Sequence, residues 1–415
     1  MAQFLVDSKE SLYDSLEQYA GERREEIDKR DLGRDPGLIK SYLLETARQD
    51  GVPDIPGALV RTELRAERLG DGDAFALFRG QQQLGYIETL GTRHLAIHSY
   101  MQNARQIDDI VRRLAERTPD LDALWLAGAT FQQLLQRVIA PLNPRRNTIV
   151  KFEFVPEFAT ARALAVDERD DALIWATSPA PADAAEGDDV DPDQRSASLM
   201  ERASRLAATL SDYQRINPTW RAIRALRIPG AEHGGYDLYS WGKLTHRTSS
   251  FRGGHAWLRE IVGIYERATR AIEEIVWLDA EPLHPPAARA AGLRGLPVVA
   301  SFPEALPDHV FRNFVSLTFE RGEGPFRLWG EPIRLGERKV HVYGLDLHLW
   351  QPISMELTPR QFVFILPQGT CGNTVHRLMT NLQRYVDPAV ELRIGERDYG
   401  ALMVDAILPR EGRDV

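Results

Sequence analysis

The chain has 415 residues, of which 43% are hydrophobic and 27% charged, and its net charge is −9. These values are typical of a globular protein that is long enough for more than one domain. The single cysteine, Cys371, excludes an internal disulfide framework. No segment has the roughly 20 consecutive apolar residues of a membrane span, and the N-terminus lacks the features of a secretory signal. We therefore expect a cytoplasmic protein without a membrane partner.

Two further features of the composition bear on source and partners. Only six of the 51 basic residues are lysine, a bias that indicates a GC-rich bacterial genome. The net acidity disfavours a protein that coats duplex nucleic acid, because such proteins are usually basic. It still leaves room for a local basic site.

Hydrophobic periodicity and turn-forming glycines predict mixed helices and strands before residue 155. In chain order, the predicted elements are a helix with Leu12 and Leu16 on its apolar face, a helix over 37–48, strands over 58–69, 74–79, 84–90 and 94–99, a helix with Ile107 and Leu114, a strand over 123–126, a helix with Phe131 and a strand over 148–154. This order of elements is an α+β pattern.

A boundary is predicted over 179–197, which is rich in Pro, Ala and Asp and has almost no apolar residue to bury. Such a composition is typical of a flexible acidic linker. It would join an N-terminal domain, 1–178, to a C-terminal domain, 198–415, which could divide again near 280–308. The alternative is an acidic docking tail.

After this boundary, Leu199, Ala203, Leu206, Leu210 and Tyr213 form a helical stripe that could pack on its own domain or bind a partner helix. The other predicted elements are helices over 255–277 and 373–386 and strands over 222–228, 236–241, 314–319, 326–333, 340–350, 353–357, 362–366 and 390–394, with 282–307 irregular. The predicted fold class is therefore α+β, with two or more domains that each contain a mostly antiparallel sheet and packed helices.

Common catalytic motifs are missing from the sequence. It contains no phosphate-binding P-loop, no dinucleotide-binding glycine motif, no H-E-x-x-H, no C-x-x-C and no G-x-S-x-G. The histidines also lack the spacing of metal ligands. The sequence therefore implies no cofactor and no metal.

The first candidate site is the strand-to-helix turn over 366–373, with the sequence LPQGTCGN. Gly369, Thr370 and Gly372 would let a ligand approach the backbone, and Asn373 could cap the helix. Free N–H groups and the helix dipole favour an anion at such a turn. The same field would lower the pKa of Cys371, with His376 as a base within one helical turn. The alternative is a structural turn with a buried cysteine.

The second candidate site is the segment 234–255. It interleaves the aromatic residues Tyr236, Tyr239, Trp241 and Phe251 with Lys243, His246, Arg247, Arg252 and His255. Rings beside cations can hold the bases and phosphates of a nucleotide or a single strand. The alternative is a sheet whose aromatic residues face the core and whose cations face water.

The third candidate is the pair Asp346 and His348, two residues apart on the strand predicted over 340–350. A carboxylate can orient an imidazole for acid–base chemistry or for metal binding. The favoured interpretation is that both side chains face solvent.

Two functions follow from these observations. The first is a non-enzymatic binding, adaptor or regulatory protein that acts through protein partners. The second is a hydrolase, a transferase or a ligand-binding protein that acts on a phosphate-bearing or single-stranded nucleic-acid substrate through 234–255 and 369–376. A cleft shared by these two segments would favour the second function.

Overall fold

The computed structural model describes residues 6–30, 37–46, 54–60, 62–70, 72–159, 195–231, 234–282, 291–322 and 324–407. Within these ranges the fold is α+β, with two large antiparallel sheets and packed helices. The helices are α1 Lys9–Arg30, α2 Ile55–Leu59, α3 Ala104–Arg117, α4 Gly128–Leu134, α5 Ala140–Leu142, α6 Ala203–Ile216, α7 Phe251–Val276, α8 Asp308–Val315, α9 Asn373–Tyr385 and α10 Tyr399–Ile407. None of these described helices is long and apolar enough to span a membrane.

The strands fall on both sides of the predicted linker. They are β1 Lys40–Thr46, β2 Leu64–Arg68, β3 Ala74–Arg79, β4 Gln82–Leu90, β5 His94–Ser99, β6 Leu121–Ala123, β7 Asn147–Phe154, β8 Arg195–Arg202, β9 Ile223–Pro229, β10 Gly235–Tyr239, β11 Lys243–His246, β12 Asp279–Pro282, β13 Ala291–Arg294, β14 Val298–Ser301, β15 Leu328–Gly336, β16 Lys339–Asp346, β17 Gln351–Thr358, β18 Gln361–Ile365, β19 Glu391–Ile394 and β20 Arg397–Asp398.

The larger sheet has the strand order β2-β3-β4-β5-β1-β11-β10-β9-β7-β8, and β6 also pairs with β1. Its centre is β1, where Ser41 pairs with His98 on one side and with Leu244 on the other. The sheet therefore combines strands from both sides of 179–197. Residues 179–194 of the predicted linker lie outside the described residues, and 195–197 form the start of β8.

The smaller sheet has the order β15-β16-β17-β18-β14-β19-β20, and β12 and β13 form a separate hairpin. Its inner face carries Val340, Val342, Met355, Phe362 and Phe364, all of which are buried. Helices α8 and α9 cover this face, and Leu378 and Leu382 of α9 are fully buried in the same core. Burial of an aliphatic or aromatic side chain contributes roughly 1.5–3 kcal/mol, so this core stabilises the C-terminal part of the fold.

Helix α7 connects the two cores. Ser250 caps its first turn, because the Ser250 side chain accepts a hydrogen bond from the Gly253 N–H at 3.0 Å. Leu258 and Ile261 lie in the core of the larger sheet, whereas Ile272 and Val276 lie in the core of the smaller sheet. The helix thus places the side chains of its second half between the two sheets.

Several predicted elements are wrong. The predicted helix over 37–48 is strand β1, buried along its whole length, so its apolar residues do not mark one helical face. The predicted strand over 314–319 is the end of α8 and a π-helical turn, since packing overrides the strand preference of its aromatic residues. The predicted strand over 58–69 is α2 followed by β2, and β13 and β14 form within the predicted irregular segment 282–307.

The predicted helical stripe is only partly correct. Leu199 lies in strand β8, and helix α6 begins at Ala203. Leu206 and Leu210 are buried in the core of the larger sheet, so this face packs on its own chain. Only Tyr213 of the stripe remains substantially exposed, at 39%.

Candidate functional site

The predicted anion-binding turn is buried where α7 meets α9. The Gly372 N–H donates a hydrogen bond to Glu273 Oε1 at 2.8 Å. A Cβ at Gly372 would lie 2.6 Å from the Thr269 carbonyl oxygen, so the close approach of the two helices requires glycine. The negative group at this helix end is therefore a carboxylate of the same chain.

The other residues of the turn also have partners within the chain. The Thr370 hydroxyl donates to the Pro367 carbonyl oxygen at 2.8 Å. The Asn373 Nδ2 donates to the Ala123 carbonyl oxygen at 3.1 Å, and its Oδ1 accepts from Tyr265. Asn373 is the first residue of α9 and makes no capping bond, which corrects the predicted capping role. Gly369 lies in an exposed turn with φ +91°, a conformation that favours glycine.

Cys371 lies beside a buried arginine with two carboxylate partners. Arg93 Nε donates to Glu45 Oε1 at 2.6 Å, its Nη1 donates to Glu273 Oε2 at 2.9 Å, and its Nη2 lies 3.2 Å from Cys371 Sγ. Burial and the neighbouring Glu45 raise the pKa of the Cys371 thiol well above its ordinary value, and Arg93 offsets this only in part. The predicted lowering of this pKa is wrong, because burial and nearby negative charge both disfavour a thiolate.

The hydrogen-bond partner of His376 is a tyrosine and not Cys371. Its Nδ1 lies 2.6 Å from Tyr399 Oη, and its ring packs against Tyr265 with 4.5 Å between the ring centroids. Burial lowers the pKa of His376 to about 3. The side chain is therefore a neutral core residue in contact with two tyrosines.

Asp346 and His348 are buried, so the prediction that they face solvent is wrong. Asp346 ends strand β16 and accepts a hydrogen bond from Arg377 Nη2 at 2.6 Å. Arg377 also pairs with Asp122, and Arg327 Nη1 lies 3.2 Å from Asp122 Oδ1. Burial raises the pKa of Asp122, but these two arginines outweigh that effect and hold it well below its usual range. These residues form a buried ionic network.

The segment 234–255 contributes to two opposite faces of the larger sheet. His246 is buried on the inner face, where its Nε2 lies 2.8 Å from Ser41 Oγ. The same hydroxyl lies 2.8 Å from His98 Nδ1, and His98 Nε2 and His255 Nε2 both lie within 2.8 Å of Glu88 Oε1. Burial lowers the pKa of His246 to about 3. This part of the segment therefore belongs to a buried hydrogen-bond network beneath α1.

The other face of the same segment carries the cations. Lys243 Nζ lies 2.7 Å from both carboxylate oxygens of Asp108, and Arg247 Nε donates to Asp237 Oδ2 at 2.6 Å. Their partners differ from those of the turn over 369–376, which include Glu273, Ala123 and Tyr399. The two predicted segments therefore bind different groups of the chain.

The outer face of the smaller sheet carries exposed hydrophobic side chains. Trp329 and Ile333 point to this face from β15, Tyr343 from β16 and Ile365 from β18, since Tyr343 pairs with Ser354 and Ser354 pairs with Ile365. Their exposed fractions are 48%, 45%, 68% and 38%, respectively. We call these four residues the aromatic face. A strand that is apolar on both sides is unusual for an antiparallel sheet that meets water.

Trp350 lies in the hairpin between β16 and β17, at the end of the sheet where Trp329 also lies, because Asp346 pairs with both Leu328 and Gln351. It is 59% exposed and has φ +54°. A bulky residue in this conformation is strained by about 1–3 kcal/mol, and such strain is common at functional positions.

Two residues that hydrogen-bond to the hairpin of Trp350 also have positive φ. Arg327 has φ +51° and Asp120 has φ +72°, and these are the other two non-glycine residues with positive φ in the described part of the chain. The Leu347 N–H donates to the Arg327 carbonyl oxygen at 2.9 Å, and the Asp120 N–H donates to the His348 carbonyl oxygen at 3.0 Å. These bonds fix the hairpin that presents Trp350.

Sequence reasoning missed the aromatic face. The predicted strands over 326–333, 340–350 and 362–366 contain its residues, but nothing in the pattern separates inward from outward aromatic side chains. One signal is the run Phe362 to Ile365, which is apolar at every position. A run of this kind shows that both sides of a strand need an apolar environment.

Comparisons with known proteins match only part of this chain. Residues 235–400 match a family described as MJECL33-like protein. An uncharacterized protein MJECL33 from Methanocaldococcus jannaschii is 30% identical over 171 residues, which cover 39% of this chain and 38% of that relative. That relative comes from an archaeon, so it gives no support to the predicted bacterial origin of this chain. No solved structure matches. The matched region runs from β10 to the start of α10 and includes every strand of the smaller sheet.

Proposed function

We propose that this chain is a non-enzymatic binding protein that holds a protein partner on the aromatic face, with Trp350 as the anchor of the interface. The observation that carries the proposal is the group of exposed side chains on one side of the smaller sheet, together with exposed Trp350 in the hairpin at its end. Trp329, Tyr343 and Trp350 are each about half exposed or more. Tryptophan and tyrosine are enriched among the residues that dominate binding energy at protein interfaces.

The area of the patch supports this proposal. Aromatic side chains bury about 150–250 Å² each, so the exposed parts of three of them amount to roughly 350 Å². Ile333 and Ile365 extend the patch along β15 and β18. Patches of about 300–600 Å² on a folded chain are often functional, and a stable interface covers about 800 Å² per partner.

The polar residues around the patch favour a protein over a lipid surface. Lys339 Nζ and His341 Nε2 each lie 2.8 Å from an oxygen of Glu356, and Glu331 lies between Trp329 and Ile333 on the same face. A rim with both signs of charge is typical of protein interfaces. A membrane-binding face would instead combine its aromatic residues with an excess of cations.

The proposed function can be tested by comparing proteins that copurify with three tagged full-length chains from the native host. The first is the natural chain, and the second carries Tyr343→Ser and Trp350→Asn. The third is a control with Tyr213→Ser and Ile216→Asn, which changes two exposed apolar residues of α6. We expect a partner that binds the first and third chains and is depleted at least about tenfold with the second.

Two results would contradict the proposed function. One is the same set of copurifying proteins for all three chains. The other is a stable dimer of the natural chain, measured by light scattering, that the aromatic-face variant alone dissociates. In that case the occupant of the face would be a second copy of this chain.

A further inference from the structure

The side of the larger sheet opposite His246 gathers positive charge around Asp237, next to the part of that side that α3 covers. Arg227 and Thr245 flank Asp237 on the neighbouring strands, and Lys151 pairs with Ala225, which in turn pairs with Tyr239. Paired residues of neighbouring strands point to the same side of a sheet. Lys151, Arg227 and Tyr239 therefore share one side of β7, β9 and β10, and Arg247, which directly follows β11, donates a hydrogen bond to Asp237 on that side. We call this set, together with Arg224 and Lys243, the basic face.

Carboxylates on the basic face do not balance its cations. Arg227 donates to both oxygens of Asp237, at 2.6 and 3.0 Å, and Arg247 donates to the same group at 2.6 Å. Two guanidinium groups thus share one negative charge. In the same way, Arg224 and Arg384 lie 2.7 and 2.6 Å from the two oxygens of Glu153.

Lys151 adds a further positive charge. Among the described residues, its ammonium group makes no hydrogen bond or ion pair. Burial and the three neighbouring arginines lower the pKa of Lys151, against the opposing effect of Asp237. With Lys243 balanced by Asp108, the five cations of the basic face exceed its three carboxylates by two charges, in a chain whose net charge is −9. A concentration of one sign of charge attracts an ion of the opposite sign.

The cations of the basic face can be reached from solvent. The side chains of Arg247, Arg227 and Arg224 are 36%, 26% and 21% exposed. Strands β7, β9, β10 and β11 are adjacent, so with about 4.8 Å between neighbours the cations extend over roughly 14 Å. A compact phosphate ion would contact only part of this surface, whereas a chain of phosphates could contact all of it.

Aromatic rings lie on the same face. Lys243 Nζ lies 5.3 Å from the centre of the Tyr239 ring and 5.6 Å from that of Trp241. Tyr239 and Trp241 are both partly exposed. Surfaces that combine rings for stacking with cations for the backbone are typical of sites for single-stranded nucleic acid.

We propose that the basic face binds single-stranded nucleic acid, with Lys151 and the exposed guanidinium groups on the phosphodiester backbone and Tyr239 against a base. This site lies on a different sheet from the aromatic face and does not depend on the protein-binding function.

The test is fluorescence anisotropy of a labelled 20-nucleotide oligothymidine with the full-length chain, repeated between 50 and 300 mM NaCl. The informative variant is Lys151→Gln. Its matched control is Lys339→Gln, which removes the same charge from the smaller sheet. Log affinity falls as log salt concentration rises, and each cation lost from a phosphate contact makes this fall less steep by about 0.7 for a single strand. We expect Lys151→Gln to weaken binding about three- to tenfold and to make it less dependent on salt. Lys339→Gln should bind like the natural chain.

A second variant, Tyr239→Leu, tests stacking separately from charge. It should weaken binding without changing the salt slope, provided that circular dichroism shows an unchanged fold. The proposal is overturned if the natural chain does not bind the oligonucleotide at 50 mM NaCl, or if the two lysine variants weaken binding equally. It is also overturned if inorganic polyphosphate or a 20-base-pair duplex competes as well as the single strand, because the site would then recognise negative charge alone.

Discussion

The Leu347 N–H donates a hydrogen bond to the Arg327 carbonyl oxygen at 2.9 Å, and this bond joins the hairpin that presents Trp350 to the buried ionic network below it. Arg327 takes part in both, because its side chain lies 3.2 Å from Asp122 Oδ1. The network thus supports an exposed aromatic side chain in a strained backbone conformation.

Replacement of Trp350 tests this relationship. Asparagine tolerates positive φ better than tryptophan does, so Trp350→Asn should leave the free energy of unfolding unchanged or raise it by up to about 1 kcal/mol. Trp329→Asn, in the extended strand β15, is the control and should lower it by about 0.5–1 kcal/mol. Urea denaturation of both variants measures the difference. A loss of more than 1 kcal/mol in Trp350→Asn would show that Trp350 stabilises the fold and is not strained.

Loss of Arg377 should destabilise the fold strongly. It is fully buried and neutralises both Asp122 and Asp346. Arg377→Met leaves two carboxylates without this partner, which typically costs about 3–5 kcal/mol. Adding Asp346→Asn to this variant should recover part of the loss, as measured by guanidinium denaturation. If the double variant were less stable than the single one, Asp346 would not depend on Arg377 for its charge.

The buried carboxyl group of Glu45 makes stability depend on pH. Burial raises its pKa to about 7, with Arg93 opposing. Between the unfolded pKa of about 4.5 and this value, the folded chain holds a proton that the unfolded chain has lost, so this group lowers stability as pH rises. The full effect is roughly 3 kcal/mol, since one pKa unit corresponds to about 1.4 kcal/mol.

The Glu45→Gln variant isolates this contribution. Buried histidines act in the opposite direction below pH 6.5, because burial lowers the pKa of His94, His246 and His376 to about 3. The informative quantity is therefore the difference in unfolding free energy between Glu45→Gln and the natural chain. It should shift in favour of the variant from pH 4.5 to 7 and then become constant. A difference that does not change with pH would show that Glu45 titrates normally.

Cys371 should be inert in the folded chain. The Cys371 thiol is buried and its pKa is raised, and both effects prevent it from attacking a disulfide reagent. We expect no reaction with Ellman's reagent at pH 8 in native buffer and one thiol per chain in 6 M guanidinium chloride. Rapid reaction of one equivalent in native buffer would restore the hypothesis of a reactive cysteine.

The local sequence pattern is sufficient to predict many of the helices and strands. The antiparallel strands β3, β4 and β5 follow one another through short turns, so alternation and glycine predict them. Strand β1 is different because its neighbours are distant in the chain. The hydroxyl of its buried residue Ser41 has its partners in His98 and His246, 57 and 205 positions away. The local pattern of 37–48 therefore predicts a helix where the structure has the central strand.

The surfaces could be predicted less well than the elements. Lys243 and Arg247 stand out in the sequence, but Lys151 and Arg227 join them only through the pairing of β7 with β9 and of β9 with β10. The exposure of Trp329 and Tyr343 likewise depends on which side of the smaller sheet α8 and α9 cover. Both surfaces are set by tertiary packing, which a single sequence does not specify.

The central claim, a protein partner on the aromatic face, is tested most directly by photo-crosslinking in the native host. A benzophenone amino acid is placed at Tyr343, which is 68% exposed, and in a separate chain at Tyr213, which is exposed on α6. We expect light-dependent crosslinks from position 343 to one discrete protein, identified by mass spectrometry, that are absent from position 213 and are lost when Trp350→Asn is added. The same crosslinks from both positions, or none from position 343, would contradict the claim.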